Sequence, residues 1–120
     1  LVVEDEPALL LLTAKQLEKE GYTVLAADTP AEANRLAREH AGEIHLLMTD
    51  VVMPAMNGWD LATQVVMVRP RVKSLFMSGY SADIIAELGT QAAAGQFIQK
   101  PFTRRDLAVK VRQVLDRDHA

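Results

Sequence analysis

The sequence predicts a three-layer α/β domain built around a parallel β-sheet. Five short apolar runs alternate along the chain with segments of helical length. The apolar runs lack the strict alternation of polar and apolar residues that marks a strand with one face in water. Because alternating strands and helices are typical of parallel sheets covered on both faces, each run is expected to be a buried strand.

Each predicted element has recognisable boundaries. The predicted strands cover residues 1–3, 23–27, 45–49, 72–77 and 97–99. The predicted helices cover residues 8–20, 31–40, 59–68, 82–88 and 104–116. Pro7 suits a first helical turn, Gly21 suits a C-terminal cap, and Thr29 and Thr103 suit N-caps.

Composition excludes several classes of function. The chain has no cysteine, which rules out disulfides, thiol catalysis and cysteine metal sites. Thirteen basic and sixteen acidic residues give a net charge of -3, so we expect no direct binding of nucleic acid. No apolar run approaches the roughly 20 residues that span a bilayer, so we expect no membrane contact by this domain. We expect residues 1–120 to form a single domain, excised from a longer chain because the sequence starts inside a strand without methionine.

Polar residues follow the predicted strands at the points where the strands end. The first strand is followed by Glu4, Asp5 and Glu6, the third by Asp50, the fourth by Ser78 and the fifth by Lys100. Each of these residues alone has an ordinary explanation as a loop residue, a helix cap or a surface charge. Because the carboxyl ends of parallel strands meet at one edge of the sheet, the four strand ends together predict a common site.

The chemistry of such a site follows from its charge. Two carboxylates about 4 Å apart repel each other by roughly 4 kcal/mol at an effective dielectric of about 20, so a cation must balance them. Oxygen ligands without histidine or thiolate favour Mg²⁺, with Mn²⁺ as the alternative ion. A divalent ion beside a carboxylate, a lysine and a serine provides the groups for phosphoryl transfer, with Asp50 as the nucleophile.

The sequence resembles the receiver domain of two-component response regulators. The segments that carry the resemblance are VVEDEP, MTDVVMPAMNGWDL, FMSGYSAD and FIQKPFTRRDL. The resemblance implies a doubly wound, flavodoxin-like sandwich with a five-stranded parallel sheet in the order 2-1-3-4-5. It also implies a phosphorylatable signalling switch that takes a phosphoryl group from a phosphohistidine of a histidine kinase or a phosphotransfer domain.

The resemblance assigns the acceptor and the metal ligands by position. Asp50 is the phosphoacceptor, and the domain catalyses its own phosphorylation there. Asp5 is a direct Mg²⁺ ligand, and Asp50 and the backbone carbonyl of Val52 are the others. Glu4 completes the acidic pocket, where the family more often has a second aspartate.

The resemblance also assigns the switch residues. Ser78 is the hydroxyl that turns toward the phosphoryl group, and Lys100 pairs with that group. The peptide bond between Lys100 and Pro101 is expected to be cis. Phe97 stands at the aromatic switch position, where tyrosine is more common.

Two residues beside the acceptor predict a long-lived phosphoryl group. Val52 and Tyr80 match positions that flank the path of the attacking water. Neither side chain supplies an acid or an amide suited to orienting that water. The sequence therefore predicts slow self-dephosphorylation at Asp50.

Partners and context follow from the same resemblance. The donor is expected to dock on the first helix, where Leu10, Leu11, Thr13 and Ala14 supply small and apolar surface. The output face is expected to combine the helix over residues 82–88, the fifth strand and the last helix, and a weak homodimer is compatible with it. The segments near the C-terminus look most like receivers attached to hybrid sensor histidine kinases, which places the domain in the bacterial cytosol, either free or as part of a membrane-attached kinase.

Three alternatives stay open from the sequence. A small Mg²⁺-dependent phosphatase of similar fold would carry a second acid where Val52 stands. A flavin-binding module would have a loop rich in glycine and hydroxyl groups after its first strand, where this chain has EDEP. A degenerate receiver that serves as a constitutive docking module would lack the acceptor or the lysine, and both Asp50 and Lys100 are present.

Overall fold

A computed structural model describes residues 1–79 and 97–117 of the chain. Its strands are β1 (Val2–Val3), β2 (Ala26–Ala27), β3 (Leu46–Asp50), β4 (Lys73–Ser78) and β5 (Phe97–Gln99). Its helices are α1 (Pro7–Lys19), α2 (Pro30–Glu39), α3 (Gly58–Val68) and α4 (Arg104–Leu115). The helix predicted over residues 82–88 and the residue Tyr80 lie outside the described residues.

The five strands form one parallel sheet in the order β2-β1-β3-β4-β5. This order confirms the fold class that the sequence predicts. The register places Asp50 beside Met77 and Ser78 beside Gln99, so the strands end at nearly the same level. Side chains at these ends therefore emerge at one edge of the sheet, which we call the carboxyl edge.

Apolar side chains cover both faces of the sheet. Successive residues of β3 point to opposite faces, so Leu47 belongs to the cluster under α2 and α3, whereas Met48 belongs to the cluster under α1 and α4. Both side chains are completely buried. Because both faces of the sheet are buried, the strands consist of continuous apolar runs. Burial on both faces also confirms the predicted three-layer arrangement.

Most predicted boundaries hold to within one residue, and the predicted caps form. Thr29 and Thr103 accept hydrogen bonds from backbone amides in the first turns of α2 and α4, and Gly21 has a φ of 95° after α1. The strand predicted over residues 23–27 is shorter, at Ala26–Ala27. It lies at the sheet edge and pairs with β1, which itself has two residues, so the ladder ends early.

Basic side chains close helix ends at the edge of the sheet opposite the carboxyl edge. The Arg69 guanidinium donates to the backbone carbonyls of Ala37, His40 and Gly42 at 2.9, 2.5 and 2.8 Å. The Lys73 ammonium donates to the carbonyl of Leu115 at 2.6 Å, at the end of α4. These cations satisfy carbonyls that have no partner inside the helices. Across residues 1–79 and 97–117, no helix has the length and apolar character needed to cross a bilayer.

The turn after β3 brings the start of α3 against the strand end that carries Asp50. The amide of Gly58 donates to the carbonyl of Val51 at 2.7 Å, and Asn57 caps α3 by accepting from the amide of Asp60 at 2.9 Å. A Cβ atom at Gly58 would lie 2.2 Å from the backbone oxygen of Asp50. Glycine is therefore needed at position 58 by close approach of the backbone.

We predict that Gly58→Ala lowers the free energy of unfolding by about 1–3 kcal/mol, because the added methyl group displaces the backbone at Asp50. Urea denaturation measures the change. Gly42→Ala is the control, since its Cβ would meet the end of the flexible His40 side chain at 3.1 Å. Equal stability of the two variants would contradict the close approach at Gly58.

Candidate functional site

The carboxyl edge of the sheet holds an acidic cleft of about 170 Å³. The residues that line this cleft are Glu4, Asp5, Glu6, Asp50, Val52, Met77, Ser78, Gly79 and Lys100. They come from the ends of β1, β3, β4 and β5 and from the loops that follow these strands. The convergence predicted from the four strand ends is therefore present in the fold.

Asp50 is the last residue of β3 and stands at the centre of the sheet edge. It is 4% exposed. Its backbone is fixed on both sides, because the Thr49 hydroxyl donates to the Asp50 carbonyl at 3.0 Å and the Val51 amide donates to the Met77 carbonyl at 2.9 Å. The strand thus presents a buried carboxylate in a rigid setting at the base of the cleft.

Lys100 contacts two carboxylates at once. Its ammonium lies 2.6 Å from Asp50 Oδ1 and 2.5 Å from Glu4 Oε2. Its backbone amide donates to the carbonyl of Ser78 at 2.7 Å, and its peptide bond to Pro101 is cis, which is the isomer that the resemblance implies. Lys100 therefore joins the ends of β1, β3 and β4 to its own segment after β5.

The two acids after β1 have different surroundings. Glu4 is 2% exposed, and its Oε1 accepts a hydrogen bond from the amide of Glu6 at 3.2 Å. Asp5 is exposed to solvent. One acid is thus fixed inside the cleft and its neighbour stands at the cleft mouth.

Burial and neighbouring charges shift the protonation of this group. Burial, together with a hydrogen bond to Glu4, raises the pKa of Asp50 to about 8, although Lys100 opposes the shift. Burial alone would raise the pKa of Glu4, but hydrogen bonds from Asp50 and Lys100 outweigh it and lower the pKa. Burial would lower the pKa of Lys100, but contacts with both carboxylates outweigh it and raise the pKa. Without a metal ion, these shifts favour the neutral form of Asp50 and the charged forms of Glu4 and Lys100.

The carboxylates are arranged to hold a cation. One oxygen each from Glu4, Asp5 and Asp50 lies within 4.8 Å of the others. Hard oxygen donors of this kind fit Mg²⁺, which usually takes one or two protein carboxylates and keeps several waters. The exposed position of Asp5 leaves room for those waters. The donor set therefore fits the ion that the sequence predicts.

The structure brings most of the predicted site residues together, with one exception. Val52 lines the cleft, and its side chain is 55% exposed. Ser78 also lines the cleft and is buried. Phe97 begins β5 and packs, half-buried, against the apolar cluster under α2 and α3, so it does not line the cleft.

Sequence reasoning missed the direct contact between Glu4 and Lys100. The signal available was the longer side chain of glutamate at a position where aspartate is more common.

Comparison with known proteins identifies the class. Residues 1–112 match the family model described as the response regulator receiver domain. The chain therefore belongs to the response regulator receiver domain family, which functions in signal transduction by two-component systems.

Individual relatives differ in how much of their length the chain covers. The chain is 36% identical over 117 residues to the sensor kinase CckA of Brucella abortus (strain 2308), covering 98% of this chain and 12% of the kinase. It is 32% identical over 115 residues to the response regulator receiver protein CpdR of the same strain, covering 96% of this chain and 94% of that protein. The crystal structure of the receiver domain from the hybrid histidine kinase CckA shares 34% identity, with a TM-score of 0.79 and 96% coverage of each chain.

We predict that Mg²⁺ stabilises the fold, because a divalent ion relieves the repulsion among the three carboxylates. Binding to the folded state alone stabilises it by about 1.4 kcal/mol at ten times the dissociation constant. Thermal denaturation with and without Mg²⁺ measures the effect. Asp5→Asn should lose most of it, whereas Asp28→Asn, which alters an exposed acid after β2, should keep it. Equal responses of the two variants would contradict a metal site at Asp5.

Proposed function

We propose that this domain is a phosphorylatable switch of a two-component phosphorelay, with Asp50 as the acceptor. The observation that carries the proposal is the environment of Asp50. Its carboxylate is buried at the end of the central strand, yet it opens on a cleft and contacts the ammonium of Lys100 at 2.6 Å. A carboxylate used only for stability would gain nothing from an adjoining cleft lined by three further acids.

The proposed reaction transfers a phosphoryl group from a phosphohistidine to Asp50. A carboxylate oxygen of Asp50 attacks phosphorus, the bond from phosphorus to the histidine nitrogen breaks, and that nitrogen keeps the electron pair. The product is an acyl phosphate on Asp50. Lys100 neutralises charge on the phosphoryl oxygens in the transition state, and the carboxyl group of Asp50, whose pKa is raised, must be ionised when it attacks.

A metal ion completes this chemistry in the proposal. Asp5, Asp50 and the backbone carbonyl of Val52 would hold Mg²⁺ or Mn²⁺, with Glu4 beside them. The bound ion would neutralise the phosphoryl oxygens and orient the phosphoryl group for in-line transfer. The donor set and its spacing support this assignment.

Phosphorylation adds about two negative charges at the carboxyl edge, and Ser78 and Lys100 are the groups placed to respond. Ser78 is buried at the end of β4, and its carbonyl accepts from the Lys100 amide. Movement at either residue would therefore be transmitted to β4 and β5. We propose that the face around residues 82–88, β5 and α4 changes conformation, with Phe97 as its aromatic reporter.

The phosphohistidine donor is proposed to dock on α1, although the surface differs from the one predicted. Leu11 is exposed as expected, and Leu9 and Leu12 are exposed beside it. Thr13, which was expected to contribute, is buried and therefore unavailable for docking. Leu10 and Ala14 are partly buried.

The wider context is proposed from the relatives. Identity to the sensor kinase CckA supports a receiver attached to a hybrid histidine kinase in the bacterial cytosol, and identity to CpdR supports a receiver that forms nearly the whole protein. Both contexts use the same chemistry at Asp50. The sequence that flanks residues 1–120 in the gene decides between them.

We predict that acetyl phosphate with Mg²⁺ adds one phosphoryl group to the domain, because a small acyl phosphate can replace the phosphohistidine donor. Intact-protein mass spectrometry measures the adduct. Asp50→Asn, which keeps the size of the side chain and removes the nucleophile, should abolish it. Asp28→Asn should leave it unchanged. An unmodified parent protein, or an adduct that survives Asp50→Asn, would refute the proposed function.

We predict that the acyl phosphate decays slowly and that Val52→Asn accelerates its hydrolysis on the order of tenfold, because an amide can orient the attacking water. Loss of phosphate from the isolated phosphorylated domain with Mg²⁺ measures the rate. Val52→Ala separates the effect of the amide from the loss of bulk, and it should accelerate hydrolysis less. Decay of the parent within seconds, with no change in Val52→Asn, would show that Val52 does not protect the phosphoryl group.

A further inference from the structure

The contact between Glu4 and Lys100 crosses the acidic cleft. The two residues follow β1 and β5, which are separated in the sheet by β3 and β4, and they are 96 positions apart in sequence. Three strand spacings of about 4.8 Å separate their backbones by about 14 Å. The side chains close this distance and meet at 2.5 Å. Glutamate has one methylene group more than aspartate, so the side chain of Glu4 extends farther toward Lys100.

Hydrogen bonds with the backbone hold Glu4 in place at both its amide and its carboxylate. Its backbone amide donates to the Ala27 carbonyl at 3.1 Å, and its Oε1 accepts from the amide of Glu6 at 3.2 Å. Lysine has a flexible four-carbon side chain and loses up to about 2 kcal/mol of rotamer entropy when it is fixed. A rigid acceptor at Glu4 therefore limits the positions that the Lys100 ammonium can take.

We propose that Glu4 is a positioning residue for Lys100, which it holds against Asp50 Oδ1 ready for the incoming phosphoryl group. The two adjacent acids then have separate roles. Asp5, exposed at the cleft mouth, would hold the metal ion, whereas Glu4, buried and bonded to Lys100, orients the ammonium. The effect on catalysis rests on the proposed function, but the positioning itself exists in the metal-free, unphosphorylated protein.

The positioning is tested first without metal, by NMR detection of lysine side-chain ammonium groups. Ammonium protons exchange quickly with water unless they are hydrogen-bonded and sheltered, so a held Lys100 gives a signal, which Lys100→Met identifies. We expect Glu4→Gln to remove this signal and Asp5→Asn to keep it. Lys73, bonded to the Leu115 carbonyl, is the reference for folding in the same spectra.

Two results would overturn the positioning role. One is the absence of a Lys100 signal in the parent protein, and the other is its persistence in Glu4→Gln. If Glu4→Gln also loses the Lys73 signal and is therefore unfolded, Glu4→Asp replaces it. Aspartate keeps the charge near the metal ligands and shortens the side chain, so the Lys100 signal should weaken, and an unchanged signal would again overturn the proposal.

The second test is a double-mutant cycle on the initial rate of phosphorylation by acetyl phosphate with Mg²⁺. We expect Glu4→Gln to slow the parent by about tenfold and to have less than about a twofold effect in a Lys100→Met background, because the residue acts through the lysine. Equal effects in both backgrounds would overturn the positioning role. Asp28→Asn removes a charge from an exposed position that does not line the cleft, and it should match the parent.

The two tests separate failure of this inference from failure of the proposed function. A parent protein that takes no phosphoryl group at Asp50 contradicts the proposed function, and the NMR result still decides whether Glu4 holds Lys100. A parent that is phosphorylated while the cycle shows independent effects contradicts the positioning role and leaves the proposed function in place.

Discussion

Two carboxylates buried side by side at the end of a parallel sheet impose the constraint on which this site depends. Glu4 and Asp50 are each almost fully buried, and an unpaired charge in such a position costs several kcal/mol. The protein offsets this cost with one lysine that contacts both groups, and burial raises the pKa of Asp50. A metal ion or a phosphoryl group in the cleft would therefore change the charge that Lys100 balances.

The cations that stabilise helix ends and the cation that balances the buried carboxylates lie at opposite edges of the sheet. At the edge opposite the cleft, Arg69 and Lys73 bond to backbone carbonyls, which are dipoles that do not titrate. At the carboxyl edge, Lys100 bonds to carboxylates, which are groups that titrate. The sheet between them is apolar on both faces. Cations with similar chemistry thus serve as fixed helix caps at one edge and as a movable counter-charge at the other.

Periodicity and the residues placed at strand ends were sufficient for the three-layer α/β class and for the main polar residues of the cleft, whereas the strand order came from the resemblance to receiver domains. Thr29, Thr103 and Gly21 carry their capping roles in their own chemistry, so helix ends were predictable. The length of β2 could not be predicted, because it depends on the number of β1 residues that are available for pairing. The burial of Thr13 also depends on the rotation of α1 against the sheet, which a short apolar run does not define.

The pairing within the cleft was harder to predict than its membership, since it depends on the reach of side chains across the sheet. The sequence predicts that Glu4, Asp5, Asp50 and Lys100 lie at the carboxyl edge of the sheet. It does not predict which of the carboxylates Lys100 contacts.

The contacts of Lys100 suggest how the proposed phosphorylation of Asp50 would change the conformation of the sheet. Lys100 is bonded through its side chain to Asp50 and Glu4 and through its amide to the Ser78 carbonyl, so the ends of four strands share one residue. A phosphoryl group on Asp50 would place new anionic oxygens beside an ammonium already held by Glu4. The ammonium could serve both only by shifting, and its amide ties that shift to the end of β4. In the proposed mechanism, the residue that would neutralise the product is also the residue that connects the reaction to the sheet, and Glu4 would set its starting position.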